Sequence, residues 1–482
     1  MTRRFLASAA AAALALPVPA AADTLREALL EAYLTNPTLN AARAGQRAVD
    51  ENVPIAAASG RPSLNAQGTY TEAVRKSPNS FTSPDRIGRI DAQLEFPLYQ
   101  GGAVRNGIDA AEARVEAGRA DLRSTEATLF VRVVAAYMDV IANRNIVELN
   151  ANQVRVLDTN LQATSDRFEI GDLTRTDVAQ AEARLSLARS RLDSARAELE
   201  AAQEFYLQLV GSWPENLEPP PPLPDLPENP DQAEDIAIVG NPDLLSSQRN
   251  AQAAREDIDV AEAARLPRLS AVANGAYTDY FGTLGGGGAG AVGISQRETT
   301  ASVGLQATIP LYQGGGPGAR VRQAQARYDQ AQELIVATER AVVADVRAAF
   351  SRYRAALQVI ESTQIAVDAN ALALEGVRAE NSVGLRTILD ILNAEQELLN
   401  SQVDLVTARR NAYVAGFNLL AAMGRAEAGD LGLDGGALYD PVVNYDRVRG
   451  SWFDFDDDPM PVVDATRTVD NPERGIVTTP EN

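Results

Sequence analysis

Residues able to do covalent chemistry are mostly missing from this sequence. It has no Cys and no His in 482 residues. That removes thiol nucleophiles, disulfides, imidazole bases and the usual zinc or copper ligands. It also removes a lipid-modified N-terminal Cys. Carboxylates alone can serve as acid and base. However, the chain shows no paired-carboxylate motif, no Gly-rich phosphate loop and no nucleophile elbow. The reading is of a protein that is not an enzyme and uses no cofactor and no metal. What its polar residues do is recur. Gly171 returns as Gly384, Thr174 as Thr387, Asp177 as Asp390 and Glu182 as Glu395, each 213 positions later. An acid three residues after a Thr cap is favoured by the helix macrodipole. The chemistry on offer is electrostatic.

The same offset of 213 carries Phe96-Pro97-Leu98-Tyr99-Gln100-Gly101-Gly102 to Ile309-Pro310-Leu311-Tyr312-Gln313-Gly314-Gly315. A period this long is not a solenoid unit; it marks a duplicated half-protein. The expected organisation is an export signal over 1–22, a first repeat over 23–212, a Pro-rich linker over 213–235, a second repeat over 236–427 and an acidic tail over 428–482. The signal reading rests on Arg3 and Arg4, the apolar Phe5 to Leu16 and the small residues Ala20-Ala21-Ala22. That apolar stretch is too short to span a bilayer as a helix. A membrane span, if there is one, must then be a β-barrel. A formal net charge of −21 argues against nucleic acid as a partner. From Asp430 onward, 12 acids face 4 arginines. The first part of this tail is expected to dock on the body, with disorder from about Asp456.

Each repeat opens with a helix, which Asn36-Pro37 and Asn241-Pro242 interrupt. The first is read as one helix from Thr24 to Ala58 with that single break. The period then changes to 2. Ile90, Ala92, Leu94 and Phe96 alternate with polar residues, as do Ala301, Val303, Leu305, Ala307 and Ile309. Leu64 to Tyr70 and Leu269 to Tyr277 are the earlier partners. The strands therefore lie within about 62–99 and 267–312, joined by turn-forming loops. Their length of about 10 to 14 residues suits a tilted bilayer crossing. Tyr70, Phe96, Tyr99, Tyr277, Tyr280, Phe281 and Tyr312 sit near strand ends, where interfacial aromatics belong. Pro62, Pro97, Pro267 and Pro310 mark the four strand–helix junctions, where a missing N–H donor is tolerated.

After the second strand of each half comes a proline-free, Ala-rich segment: Leu98 to Trp213 and Gly318 to Asp440. Strong helix formers dominate it. Val178, Ala181, Leu185, Leu192, Ala195 and Leu199 form a narrow apolar stripe. Gly171 and Gly384 each divide their segment, with Thr174 and Thr387 restarting the helix. Each half is thus a long antiparallel hairpin whose tip lies about 100 Å from its strands, taking the helical rise per residue. Pro219 to Pro222 make the linker stiff and extended. Four strands cannot close a barrel, and no edge may stay unpaired in lipid. Copies of the chain must share one: two would give about eight strands and a filled interior, three about twelve and room for water.

The duplicated Pro-Leu-Tyr-Gln-Gly-Gly, Gly171-Asp172-Leu173-Thr174-Arg175-Thr176-Asp177-Val178 and the run Val383-Gly384-Leu385-Arg386-Thr387-Ile388-Leu389-Asp390-Ile391-Leu392-Asn393-Ala394 resemble the TolC family of outer-membrane channel-tunnels. The resemblance covers roughly Asp23 to Arg449. It implies a mixed α and β, mainly α, homotrimer. A twelve-stranded barrel in the outer membrane would be continued by a periplasmic α-helical barrel. It implies an exit duct for drug efflux or type I protein secretion, in contact with outer-membrane lipid. The partners implied are a periplasmic adaptor docked at the hairpin tips (Gly171, Thr174, Gly384, Thr387) and an inner-membrane ABC or RND transporter. It makes Asp177 a tip aspartate, Arg386 a gating arginine and Asp390 a ring aspartate of a periplasmic constriction. Asn393 stands where the best-known members have a second aspartate, and Asn381 where they have a tyrosine. One acid per subunit implies weaker cation binding at the ring. The rival readings are a periplasmic coiled-coil adaptor and a structural protein without a pore. An adaptor should carry one hairpin and a structural coiled coil unbroken heptads; the two amphipathic strand pairs separate this chain from both.

Overall fold

A computed structural model describes residues 24–75, 83–224, 226–285, 294–433, 438–460, 462–463, 465 and 467. The expected export signal, much of both strand-connecting loops and the end of the acidic tail lie outside these residues. The chain is mixed α and β, mainly α. It starts with α1 (Leu25–Thr35), α2 (Pro37–Asp50) and α3 (Asn52–Ala58), followed by β1 (Ser63–Glu72) and β2 (Arg86–Tyr99). The hairpin α4 (Ala103–Glu169) and α5 (Arg175–Val210) completes the first half. The second half repeats the plan with α6 (Pro230–Gly240), α7 (Pro242–Ala263), β3 (Arg268–Asp279), β4 (Arg297–Thr308), α8 (Gly316–Ser382) and α9 (Ile388–Ala422). A short α10 (Pro441–Val448) follows.

Three local readings need correction. The opening helix breaks twice, at Asn36 and again at Glu51. Pro54 supplies the reason, since it has no N–H to give the Asp50 carbonyl. The second copy has no proline there, and α7 runs unbroken for 22 residues. Helix α6 begins at Pro230, capped by the Asn229 side chain, so the linker ends before 235. Pro97 lies inside β2 rather than at its end. The β1 ladder has stopped at Glu95 by then, and the β3 register shifts between Pro97 and Tyr99. A residue without a donor fits such an irregularity. Pro62 and Pro267 directly precede β1 and β3, and Pro310 follows β4.

The four strands form one antiparallel sheet in the order β1-β2-β3-β4. Pairing of β2 with β3 joins the two halves. The register places like residues in rows that cross the sheet. Leu64, Leu94, Ala273 and Val303 form one row, and Ala66, Ala92, Gly275 and Ala301 the next. Between them, Asn65, Gln93, Asn274 and Ser302 point the other way. Period-2 alternation held in register over four strands gives one apolar and one polar face. The apolar face has no cover within the chain: Leu64 is 71% exposed, Val303 87% and Leu305 72%.

Helices α4 and α8 have 67 residues each. That is about 100 Å of helix. Near the sheet, α2 and α3 pack on α4, and α7 packs between α4 and α8. Beyond the middle, α5 and α9 take their places as hairpin partners. The main core lies at this changeover. Tyr33, Phe130, Val133, Val134 and Tyr137 meet Tyr206, Val210, Val346, Phe417 and Leu419 there. The linker is held against the core: the Tyr137 hydroxyl donates to the Glu218 carbonyl at 2.7 Å and Tyr413 to that of Pro221 at 3.0 Å. Burial pushes the Tyr413 hydroxyl up to about 12. At the end of α9, Gly424 has φ +73°, and a Cβ there would stand 2.5 Å from the Gly240 carbonyl oxygen. A side chain is excluded on both counts. The chain then returns to the body, where Asn444 donates to Asp50 at 2.8 Å.

Candidate functional site: the two hairpin tips

Both tips are built from the same parts. Helix α4 ends where Gly171 takes φ +82°, and α8 where Gly384 takes φ +81°. Asp172 N–H bonds back to the Arg167 carbonyl at 2.9 Å, and Leu385 N–H to that of Glu380 at 3.0 Å. These bonds close the C-terminal turns around a left-handed residue that glycine adopts without strain. Nothing lies within 4 Å of where a Cβ would sit on either glycine. Glycine at the tips is therefore a backbone requirement and not one of space.

The restarting helices carry complete capping boxes. Thr174 accepts from Asp177 N–H at 3.3 Å and gives its own N–H to the Asp177 carboxylate at 2.9 Å. Thr387 and Asp390 repeat both bonds at the same distances. Each Asp thus satisfies helix donors that would otherwise be orphaned. The Thr174 hydroxyl, then its amide, holds the Asp177 carboxyl below the usual carboxylate range. The Thr387 amide, then its hydroxyl, does the same for Asp390, with a smaller pull from Arg386. A carboxylate whose folded pKa is depressed stabilises fully above its unfolded value, and that contribution is lost as pH falls through the folded value. Amide exchange at residues 174–178 and 387–391, corrected for intrinsic rate, should therefore be flat from about pH 7 to 5. It should accelerate below the ordinary aspartate value of about 4. Protection that changes between pH 7 and 5 would contradict this assignment.

The tips differ in their ion pairs. Arg167 binds Asp172 at 2.6 Å, whereas Glu380, at the position equivalent to Arg167, binds Arg386 at 2.7 Å. The pairs are of opposite polarity and roughly half exposed. Asn381 donates to the Arg386 carbonyl at 2.7 Å and fixes that turn. Arg386 and Asp390 therefore sit beside one another on the second tip, while Asp177 belongs to the first. Glu380 is a tip residue that sequence reasoning missed. The charge inversion at Arg167 and Glu380 could have shown it.

About two to five turns back from the tips, side chains join the two hairpins. Arg184 on α5 donates to Asn393 on α9 at 2.9 Å, and Arg191 to Gln396. Leu392 packs with Leu157, Leu185 and Ala188. Glu395 is only 4% exposed, binds Arg378 on α8 at 2.9 Å and lies 3.4 Å from the Asn160 amide on α4. Glu395 is thus a buried charge at the meeting of three helices, recognised in sequence only as a repeat partner of Glu182. Among the described residues, no group of His, Cys, Asp and Glu is arranged to hold a metal ion. No described helix is long and apolar enough to cross a membrane.

Comparison with known proteins gives a consistent picture. The family model "Outer membrane efflux protein" matches residues 28–212 and 235–425. The outer membrane efflux protein BepC of Brucella suis is 37% identical over 435 residues, covering 90% of this chain and 92% of that one. The outer membrane protein TolC of Escherichia coli is 28% identical over 436 residues, covering 87% and 86%. The crystal structure of the Campylobacter jejuni CmeC outer membrane channel shares the fold, with a TM-score of 0.73 at 16% identity over 88% of this chain and 89% of that one. The family match runs over both repeated halves, and this chain belongs to the outer membrane efflux protein family.

Proposed function

We propose that this protein is the outer-membrane exit duct of a tripartite efflux pump or type I secretion system. The observation that carries this reading is the sheet, with its continuous, uncovered apolar face and its outer edges on β1 and β4. Such a sheet is unstable in water and forbidden in lipid until its edges are paired. With four alternating strands, β4 of one copy meets β1 of the next antiparallel, and about three copies leave an aqueous lumen. The apolar rows then face lipid and the Asn65 to Ser302 row faces water. Four helices per chain surround the axis at every level below, so the barrel continues as a tunnel through the periplasm.

The hairpin ends are the surface offered to a periplasmic adaptor, and through it to an inner-membrane ABC or RND transporter. Asp177, Arg386, Asp390, Asn381 and Asn393 form the periplasmic constriction in this reading, with Glu380, Arg378 and Glu395 added from the structure. BepC and the matching family model carry efflux in their names; which cargo this duct passes is set by the transporter that it joins. Membrane fractionation and gel electrophoresis without boiling test the reading. A heat-modifiable trimer in the outer membrane is expected, and a soluble monomer would overturn it. Crosslinking from Cys placed at the exposed Ile170 or Val383, beside the tip glycines, identifies the adaptor.

A further inference from the structure

A second polar site lies far from the tips, where α1, α2, α4, α7 and the chain after α9 line a partly open cavity of about 490 Å³. Arg43, Arg119, Tyr33 and Tyr439 line it. The Arg43 guanidinium is clamped between the rings of Tyr33 and Tyr439, 4.2 and 5.1 Å from their centroids. It is 8% exposed. Its Nη1 donates to Asn40 at 3.0 Å, but its Nη2 is buried and has no partner in the chain. The Arg119 guanidinium stacks 5.0 Å from the Tyr445 ring and gives Nη1 to Glu116. Its Nε and Nη2 are both buried and unpartnered, as is the Tyr439 hydroxyl.

Unmatched buried donors are rare and costly in folded proteins. Here they belong to three side chains lining one cavity. Nε and Nη2 of an arginine form one edge of its planar fork, the edge that takes a carboxylate through two parallel bonds. The remaining charges in the cavity do not fill that role. Glu116 is engaged by Arg119 Nη1, and Glu427 is paired with Arg123 at 2.7 Å. Glu126 accepts from the Ala428 amide, and burial pushes its carboxyl up, towards the neutral form. The result is a pocket with surplus positive charge in a chain of net charge −21.

We propose that this cavity is a carboxylate-binding site, with the Arg119 Nε/Nη2 edge holding both oxygens and Arg43 Nη2 and the Tyr439 hydroxyl completing their coordination. The carboxylate comes either from a free small acid or from an acidic side chain of a second copy of this chain. Two measurements on the purified, assembled protein in detergent separate the sources. Titration with succinate against chloride at matched ionic strength reads a free acid. Saturable binding is expected, weakened at least tenfold in Arg119→Gln and in Arg43→Gln. Subunit dissociation in increasing denaturant reads a second copy's acid. In that case succinate has no effect on the wild type, and Arg119→Gln dissociates at clearly lower denaturant. Arg119→Lys keeps the charge and much of the stem but removes the fork, so it should behave like Arg119→Gln even if the glutamine variant assembles poorly. Glu116→Gln, which leaves the fork intact, should retain the wild-type response. Succinate binding that survives both Arg119→Lys and Arg43→Gln, or a wild type that neither binds succinate nor depends on Arg119 for assembly, overturns the proposal.

Discussion

Leu94→Arg should remove most of the assembled protein from the outer membrane, while Gln93→Arg one residue away should leave it in place. Leu94 lies in the apolar row with Leu64, Ala273 and Val303, and Gln93 in the polar row with Asn65, Asn274 and Ser302. A lipid-facing arginine near the midplane of a transmembrane barrel costs about 2–4 kcal/mol. A shared barrel carries that cost once for each copy. A tenfold or greater loss of heat-modifiable trimer follows, since about 1.4 kcal/mol already changes an equilibrium tenfold. On the polar face the same side chain meets water. Outer-membrane fractions of the two variants, probed at equal expression, check the prediction. Equal loss in both, or in neither, would mean that the apolar face does not meet lipid.

Much of this fold was legible because its signals are periodic. Alternation over Ile90 to Phe96 and Ala301 to Ile309 marked the strands and their two faces before any pairing was known. Gly171 and Gly384, each followed by Thr at the third position, marked the tips. The pairing of β2 with β3 was not legible, because alternation gives a strand's faces and not its neighbour. Pro97 was misplaced for a related reason: a proline inside a strand is acceptable only where one side of the ladder has ended, and the sequence does not show where β1 stops. The break at Glu51 was within reach, since Pro54 is plainly a helix breaker. Arg43, Gln46 and Asp50 follow one another along one face of α2 and look like a solvated stripe, yet all three are buried. Returning chain beyond residue 424 covers Arg43 and Asp50, while α4 covers Gln46, and local periodicity carries no trace of a segment nearly 400 positions away.

The tips divide in the same way. Capping partners lie three residues apart and can be read directly. Contacts between hairpins link residues more than 200 positions apart and require the folded stack. This division separates residues that shape each tip from residues that hold the tips together. Asp177 and Asp390 serve their own helices. Arg386 and Glu380 serve one turn. Glu395 and its partners span both hairpins.

That distinction gives the second large effect: Arg378→Ala should open the channel more than Arg386→Ala. Arg386 and Glu380 are each about 49% exposed. An ion pair so placed is screened by water and adds little. Losing it leaves both groups in water, and single-channel conductance should rise modestly. Glu395 is 4% exposed and retains only the long Asn160 contacts once Arg378 is gone. Removing one partner of a buried polar group costs about 1–3 kcal/mol, and more for a charge. Arg378 is itself half exposed, so solvent screening keeps the effect towards the lower end. In the proposed gate, separation of the first hairpin at Asn160 admits water to Glu395, so an unpaired Glu395 favours the open arrangement. A severalfold rise in conductance across planar bilayers, with heightened sensitivity of cells to a large hydrophilic antibiotic, is expected for Arg378→Ala. Glu395→Gln, which removes the charge but keeps the shape, should lie between that variant and the wild type. If Arg378→Ala conducts like the wild type while still forming trimers, the buried contact does not hold the tips closed, and any gating force must come from contacts between subunits.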